Sequence, residues 1–167
     1  MKVLVISDSH GNEDLLKTIA SRHSREVDAL FHCGDSELSS NNEAMKSYES
    51  VRGNCDYDTT YPKEMTKDVN GVRFYITHGH LHQVKTTLMP LKYKAEEVGA
   101  DVVCFGHSHI AGAEMVDGTL FVNPGSILLP RMTRDQTYVI IESTNDDFSV
   151  LYYNEKGEVL NSFSFKK

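Results

Sequence analysis

The chain has 167 residues and a formal net charge of −7. That length suits a single domain over residues 1–167, able to bury roughly 70 % of the surface its unfolded chain exposes. The acidic balance argues against nucleic-acid binding, whose footprint is a basic patch, and no apolar run approaches the ~20 residues of a membrane span. Three cysteines, Cys33, Cys55 and Cys104, and a start that runs straight into a strand without a leader point to the reducing cytoplasm. Cys33 and Cys104 read as small buried apolar residues.

Val3-Leu4-Val5-Ile6 is an unbroken apolar run of the kind that forms a central parallel strand. Asn12 then caps a helix whose apolar face is Leu15, Leu16 and Ile19, and Ala29 to Cys33 forms a second strand. This strand–helix–strand opening predicts a right-handed crossover and a parallel pair. A short helix is expected over Glu43 to Tyr48, with a brief strand ending at Val51. Asn70-Gly71 turns a hairpin between Met65–Val69 and Val72–Ile76. A helix follows from about Thr87 to Val98, with Pro90 in its first turn and Gly99 as its stop. Val102 to Phe105 is a strand, Glu114 to Val122 a hairpin around Asp117-Gly118, and Tyr138–Ile141, Phe148–Tyr153 and Val159–Phe165 are terminal strands.

Five clusters of metal-competent side chains punctuate this pattern: Asp8-Ser9-His10, Gly34-Asp35, Gly53-Asn54, Thr77-His78-Gly79-His80 and Gly106-His107-Ser108-His109. Each follows a strand. In open α/β sheets functional groups gather beyond the carboxyl ends of strands, so distant clusters can converge. Carboxylate, amide and imidazole donors together suit Mn, Fe, Co, Ni or Zn better than a thiolate site does. Paired histidines directly after an apolar strand, His107 with His109, are hard to explain as packing, and His78 with His80 repeats the spacing. His82 is expected on a departing loop, His23 on a helix surface, and His32 as a satisfied strand residue. Asn123-Pro124-Gly125-Ser126 reads as a tight turn without a catalytic role.

The order and chemistry of these clusters, with the opening Ser7-Asp8-Ser9-His10-Gly11-Asn12, resemble the calcineurin-like metallophosphoesterase superfamily, in its small single-domain bacterial and archaeal phosphodiesterase branch. The resemblance covers Lys2 to about Ser126. It implies an α/β fold of two facing mixed β-sheets flanked by helices, a four-layer sandwich. The hairpins and the terminal strands would build the second sheet. It also implies two divalent metal ions, Mn foremost with Fe, Co, Ni or Zn as alternatives. Asp8, His10 and His109 would hold the first, Asn54, His78 and His107 the second, and Asp35 would bridge them.

The activity implied is hydrolysis of a small phosphodiester by a hydroxide held between the metals, with Asp35, Asn54 and His80 as the catalytic residues. A departure from the superfamily pattern is Cys55, where many members carry a histidine that can protonate the leaving group. His80 is the foremost substitute. A phosphomonoesterase is the nearer alternative. A non-catalytic interaction module, such as the superfamily's retromer subunit, is the more distant one, since all seven ligand positions here hold competent side chains. Edge strands leave room for a homo-oligomer.

Overall fold

The computed structural model describes residues 1–167. The elements run β1 (Lys2–Ile6), α1 (Glu13–His23), β2 (Ala29–His32), β3 (Glu49–Ser50), β4 (Glu64–Val69), β5 (Val72–Thr77), α2 (Met89–Val98), β6 (Val102–Cys104), β7 (Gly112–Val116), β8 (Thr119–Asn123), β9 (Thr137–Ser143), β10 (Asp147–Asn154) and β11 (Val159–Lys166). They form a six-stranded sheet in the order β11-β10-β9-β1-β2-β3 and a five-stranded sheet in the order β4-β5-β6-β8-β7. Both sheets are mixed: β1 is parallel to β2 and antiparallel to β9, while β6 is parallel to β5 and β8.

Strand alternation sorts the side chains into layers. Val3 and Val5 of β1 face inward and meet Phe74, Ile76, Val102 and Val122 between the sheets. Leu4 and Ile6 face outward and pack with Leu16, Ile19 and Ala20 of α1. On the other sheet Tyr75, Val103 and Phe121 face outward under Leu91 and Ala95 of α2. Asn12 caps α1 by accepting the Leu15 N–H at 3.2 Å. Pro90 sits in the first turn of α2, and Gly99 ends that helix in the left-handed region at φ 65°. No helix is long and apolar enough to cross a membrane.

Three expectations need correcting. The terminal strands do not join the hairpins. β9 pairs with β1, Val3 opposite Ile141, so β9 to β11 extend the first sheet, and only the hairpins β4–β5 and β7–β8 build the second around β6. The segment from Glu43 forms only a 3-10 turn, Glu43–Met45, because β3 begins at Glu49 and leaves no length for a helix. His23 is buried rather than on the surface: its Nε2 lies 2.7 Å from the Tyr138 hydroxyl and its Nδ1 meets Glu26. His32 is, as expected, a satisfied buried residue, and Cys33 and Cys104 lie in the core between the sheets.

Candidate metal centre

The loops that leave β1, β2, β3, β5 and β6 lie side by side and continue the backbone pairing beyond the strand ends. The Asp8 N–H donates to the Gly34 carbonyl (3.1 Å), the His10 N–H to Asp35 (3.0 Å) and the Gly106 N–H to His78 (3.1 Å). A close approach at Gly106 requires glycine, since a Cβ there would sit 2.0 Å from Ser7 Oγ and 2.6 Å from Asp8 Oδ2. Asp8, His10, Asp35, His107 and His109 all adopt left-handed backbone, with φ between 42° and 66°. Such conformations cost free energy in non-glycine residues and cluster at functional sites.

The donor atoms face one another. His10 Nδ1 lies 3.1 Å from Glu37 Oε2, and His109 Nδ1 donates to the Leu129 carbonyl at 2.7 Å. Their Nε2 atoms are left 3.5 Å apart, with Asp8 Oδ1 3.1 Å from that of His109. His78 Nδ1 donates to the Cys33 carbonyl at 2.8 Å. Its Nε2 then faces Asn54 Oδ1 at 3.0 Å, Asp35 Oδ2 at 3.3 Å and Asp8 Oδ1 at 4.0 Å. Holding Nδ1 from behind fixes the tautomer that presents a lone pair on Nε2, the usual arrangement around a metal-binding histidine.

Each carboxylate has one oxygen committed to the protein. Asp8 Oδ2 accepts from Ser7 Oγ (2.6 Å) and the His107 N–H (3.1 Å), and Asp35 Oδ1 accepts from the Cys55 N–H (2.8 Å). Asp8 Oδ1 is buried without a hydrogen bond. A fully buried carboxylate oxygen with no donor is expensive, and a cation would satisfy it. The donor sets Asp8/His10/His109 and Asp8/Asp35/His78 each converge within 4.8 Å, so the residues present fit a divalent metal.

The electrostatics of the site point the same way. Burial works against the charged form of Asp35, but hydrogen bonding and charge from His78 and the Cys55 N–H outweigh it and hold the carboxyl well below its usual range. Burial likewise pulls His78 down, yet Asp35 and Asp8 win, and its pKa is raised. A proton on His78 thus does what a cation would do among the same oxygens. Burial, then the charges of His78 and Lys85, pushes His107 down to about 4, which leaves it neutral and ready to donate a lone pair.

All seven expected ligand residues are brought to this one place. The His107 ring lies against that of His78, with centroids 5.0 Å apart, and the half-buried His80 ring stands 5.3 Å from His78 and 6.1 Å from His107. His80 therefore faces the site. His82, in the 3-10 turn His80–His82, points instead to Tyr75 and Glu64. The Asn123–Ser126 turn props the centre from below: Asn123 Nδ2 donates to the Gly106 carbonyl and to Ser108 Oγ, and Ser126 Oγ donates to the Asp8 carbonyl.

Sequence reasoning missed Glu37 and Asp56. Glu37 orients His10. Asp56 is buried and accepts four hydrogen bonds: Oδ2 from the N–H groups of Asp35 (2.8 Å) and Gly53 (2.7 Å), and Oδ1 from the Glu37 N–H (2.7 Å) and Ser36 Oγ (3.1 Å). It ties the loop after β2 to the loop after β3. The only signal for it was a carboxylate directly after Gly53-Asn54-Cys55, which an ordinary turn explains equally well.

Fold and site together define a metal-dependent phosphoesterase. The sequence profile of the calcineurin-like phosphoesterase superfamily domain matches residues 1–146, and the chain belongs to that superfamily. It is 50 % identical over 157 residues to the probable metallophosphoesterase YsnB of Bacillus subtilis, covering 94 % of this chain and 93 % of that one. It is 29 % identical over 147 residues to a phosphodiesterase of Methanocaldococcus jannaschii, covering 75 % and 83 %. The crystal structure of a predicted phosphoesterase from Streptococcus pneumoniae superposes with a TM-score of 0.96 at 32 % identity, covering 99 % and 97 %.

Proposed function

We propose that this chain is a cytoplasmic phosphodiesterase that works on a small phosphodiester with two divalent cations, Mn foremost. The observation that carries this reading is the set of imidazole nitrogens and carboxylate oxygens that converge, with three of the imidazoles and both carboxylates held from behind. Asp8, His10 and His109 would hold one cation, Asn54, His78 and His107 the other, and Asp35 both. When bound, such a pair supplies an activated water and neutralises the charge that builds on the phosphoryl oxygens.

The chain's own residues do the remaining work. Glu37, Leu129 and Cys33 hold three histidines in the donating tautomer. Asp56 fixes the loop that carries Asp35, so the donors need no reorganisation when substrate arrives. His80 stands against His78 and His107, where it can contact a phosphoryl or leaving oxygen. Cys55 is a poor stand-in for an acid: burial, and then the charge of Asp35, pushes its thiol up to about 11. Esters with good leaving groups are therefore the better substrates. The preference for diesters is supported by the phosphodiesterase named among the relatives.

The test uses protein stripped by a chelator and reloaded separately with Mn, Fe, Co, Ni or Zn. Each form is assayed on bis(4-nitrophenyl) phosphate and 4-nitrophenyl phosphate. Reloading restores cleavage and the diester is cleaved faster. Faster cleavage of the monoester makes the protein a phosphomonoesterase, and turnover indifferent to metal refutes the reading.

A further inference from the structure

Beside the metal centre a groove of about 570 Å³ runs along the outer face of the second sheet. That volume lies within the roughly 300–1,000 Å³ of small-molecule sites. Its floor is Phe105 and Phe121, and Val84 and Leu88 from the segment before α2 form one side. Its lining includes Ser108, the residue between His107 and His109 in the chain, so one end of the groove lies next to the loop that carries those two histidines. Two exposed cations stand on its walls, Lys85 and Arg131. The Lys and Arg ion pairs of the fold lie elsewhere.

With Glu114 as its one acid, the groove has a net charge of +1 (two cations, one anion) on a chain whose net charge is −7. A cationic, apolar groove that lies next to a phosphoester site matches a particular kind of substrate arm. We propose that the groove holds the ester arm that stays with the phosphoryl group, and that this arm is an apolar aromatic body bearing a second anionic group. The proposal rests on the phosphodiesterase reading and adds the substrate class. Val84, Leu88 and Ile110 supply the apolar contact over the buried floor of Phe105 and Phe121, while Lys85 and Arg131 select the negative charge at the arm's end.

Gly112 gives a clean way to close the groove. It lines the wall, and a Cβ there meets nothing within 4 Å, at a backbone angle that any residue accepts. Gly112 lies on the same face of its strand as Glu114, so Gly112→Leu has room for its Cβ and carries its side chain to the groove side. Lys85→Glu, at an exposed position, reverses one of its charges.

Two measurements test the proposal. The first compares two 4-nitrophenyl phosphodiesters that share a leaving group, one with a methyl arm and one with a 6-sulfo-2-naphthyl arm, on the metal-loaded protein. The sulfonaphthyl diester should have the higher kcat/KM by about tenfold or more, the worth of one charge-assisted contact. Gly112→Leu and Lys85→Glu should each bring that ratio towards one. The second is NMR titration of the metal-free protein with naphthalene-2-sulfonate, which has no phosphoryl group. Backbone shifts should appear at Gly112, Glu114 and Phe121 and be absent in Gly112→Leu.

Equal rates for the two arms in the wild type, or naphthalenesulfonate shifts confined to other surfaces, overturn the groove assignment. Cleavage of neither diester by the metal-loaded wild type overturns the phosphodiesterase reading, and the NMR titration still decides whether the groove takes an anionic aromatic body.

Discussion

Asp56 should be a residue on which both the fold and the metal centre depend. Its two oxygens take three backbone N–H groups and one hydroxyl in a buried place. Asp56→Ala leaves the N–H groups of Asp35, Glu37 and Gly53 without acceptors, while Ser36 Oγ can turn to the Leu38 carbonyl, 3.4 Å away. A buried donor that loses its partner costs about 1–3 kcal/mol. Three of them, eased by water entering the vacated space, put the loss at about 4 kcal/mol, a large share of the ~5–15 kcal/mol of a typical domain. For a chain of this size that is a drop in Tm of roughly 10 °C.

Asp56→Asn sharpens the reasoning, because it keeps one carbonyl oxygen. Placed on the Oδ1 side, that oxygen still serves Glu37 and Ser36. The new NH2 then confronts the N–H groups of Asp35 and Gly53, the two that tie the metal-bearing loops together. The Asn variant, with two of the three N–H groups unmet and an NH2 facing them, should lose about as much stability as Ala and a similar share of its metal affinity. Urea unfolding of the chelated proteins, beside Co titration of each, reads both quantities. An Asn variant with wild-type stability and wild-type affinity refutes this account.

Asp35→Asn should deplete metal at both positions and nearly abolish turnover, checked by elemental analysis of the purified variant; two metals per chain with a near-normal rate would sink the bridging role. His107→Ala and His109→Ala should each empty a different position, as anomalous scattering from crystals of each variant would show. His32 accepts the Gly34 N–H on Nδ1 (3.1 Å), so its Nε2 donates to Ser9 Oγ (2.9 Å) and a second proton has no place. Burial pushes its pKa down to about 4, below the ~6.5 of the unfolded chain, so the unfolded state gains protons first and stability falls as the pH drops from 6.5 towards 4. The full gap is worth roughly 3 kcal/mol. His32→Asn keeps the acceptor but cannot titrate, and urea midpoints of the chelated proteins from pH 7.5 to 4.5 should show a shallower acid limb; parallel limbs would count against the assignment. Gly106→Ala should cost about 2 kcal/mol by overpacking, and adding Ser7→Ala should recover part of that in thermal melts, since the nearest atom to the new methyl is Ser7 Oγ.

Much of this was legible in the sequence, for definite reasons. The unbroken run Val3–Ile6 and the Asn70-Gly71 turn specify β1 and the β4–β5 hairpin locally, and the five clusters mark strand ends whose convergence the α/β layout imposes. The sheet to which β9 to β11 belong was not legible. The alternation in Phe148–Tyr153 says which side chains are buried, but it is silent on whether the neighbouring strand is β1 or β8. His23 was misplaced because Arg22, Ser24 and Arg25 around it look like a solvent face, whereas its burial comes from Tyr138 and Tyr153, more than a hundred residues away. Asp56 escaped for the same reason, since its donors at Asp35 to Glu37 come from another loop.

The left-handed backbone at Asp8, His10, Asp35, His107 and His109 has an evolutionary corollary. At each of these places glycine would relax the chain, relieving on the order of 1 kcal/mol that the ligand residue costs. The donor atoms are therefore maintained against a standing pressure towards their own loss. A descendant released from the need for metal could drift to glycine or another tolerant residue there and become a sturdier fold. In such a lineage catalysis disappears long before the sandwich does, leaving a stable platform free for other uses.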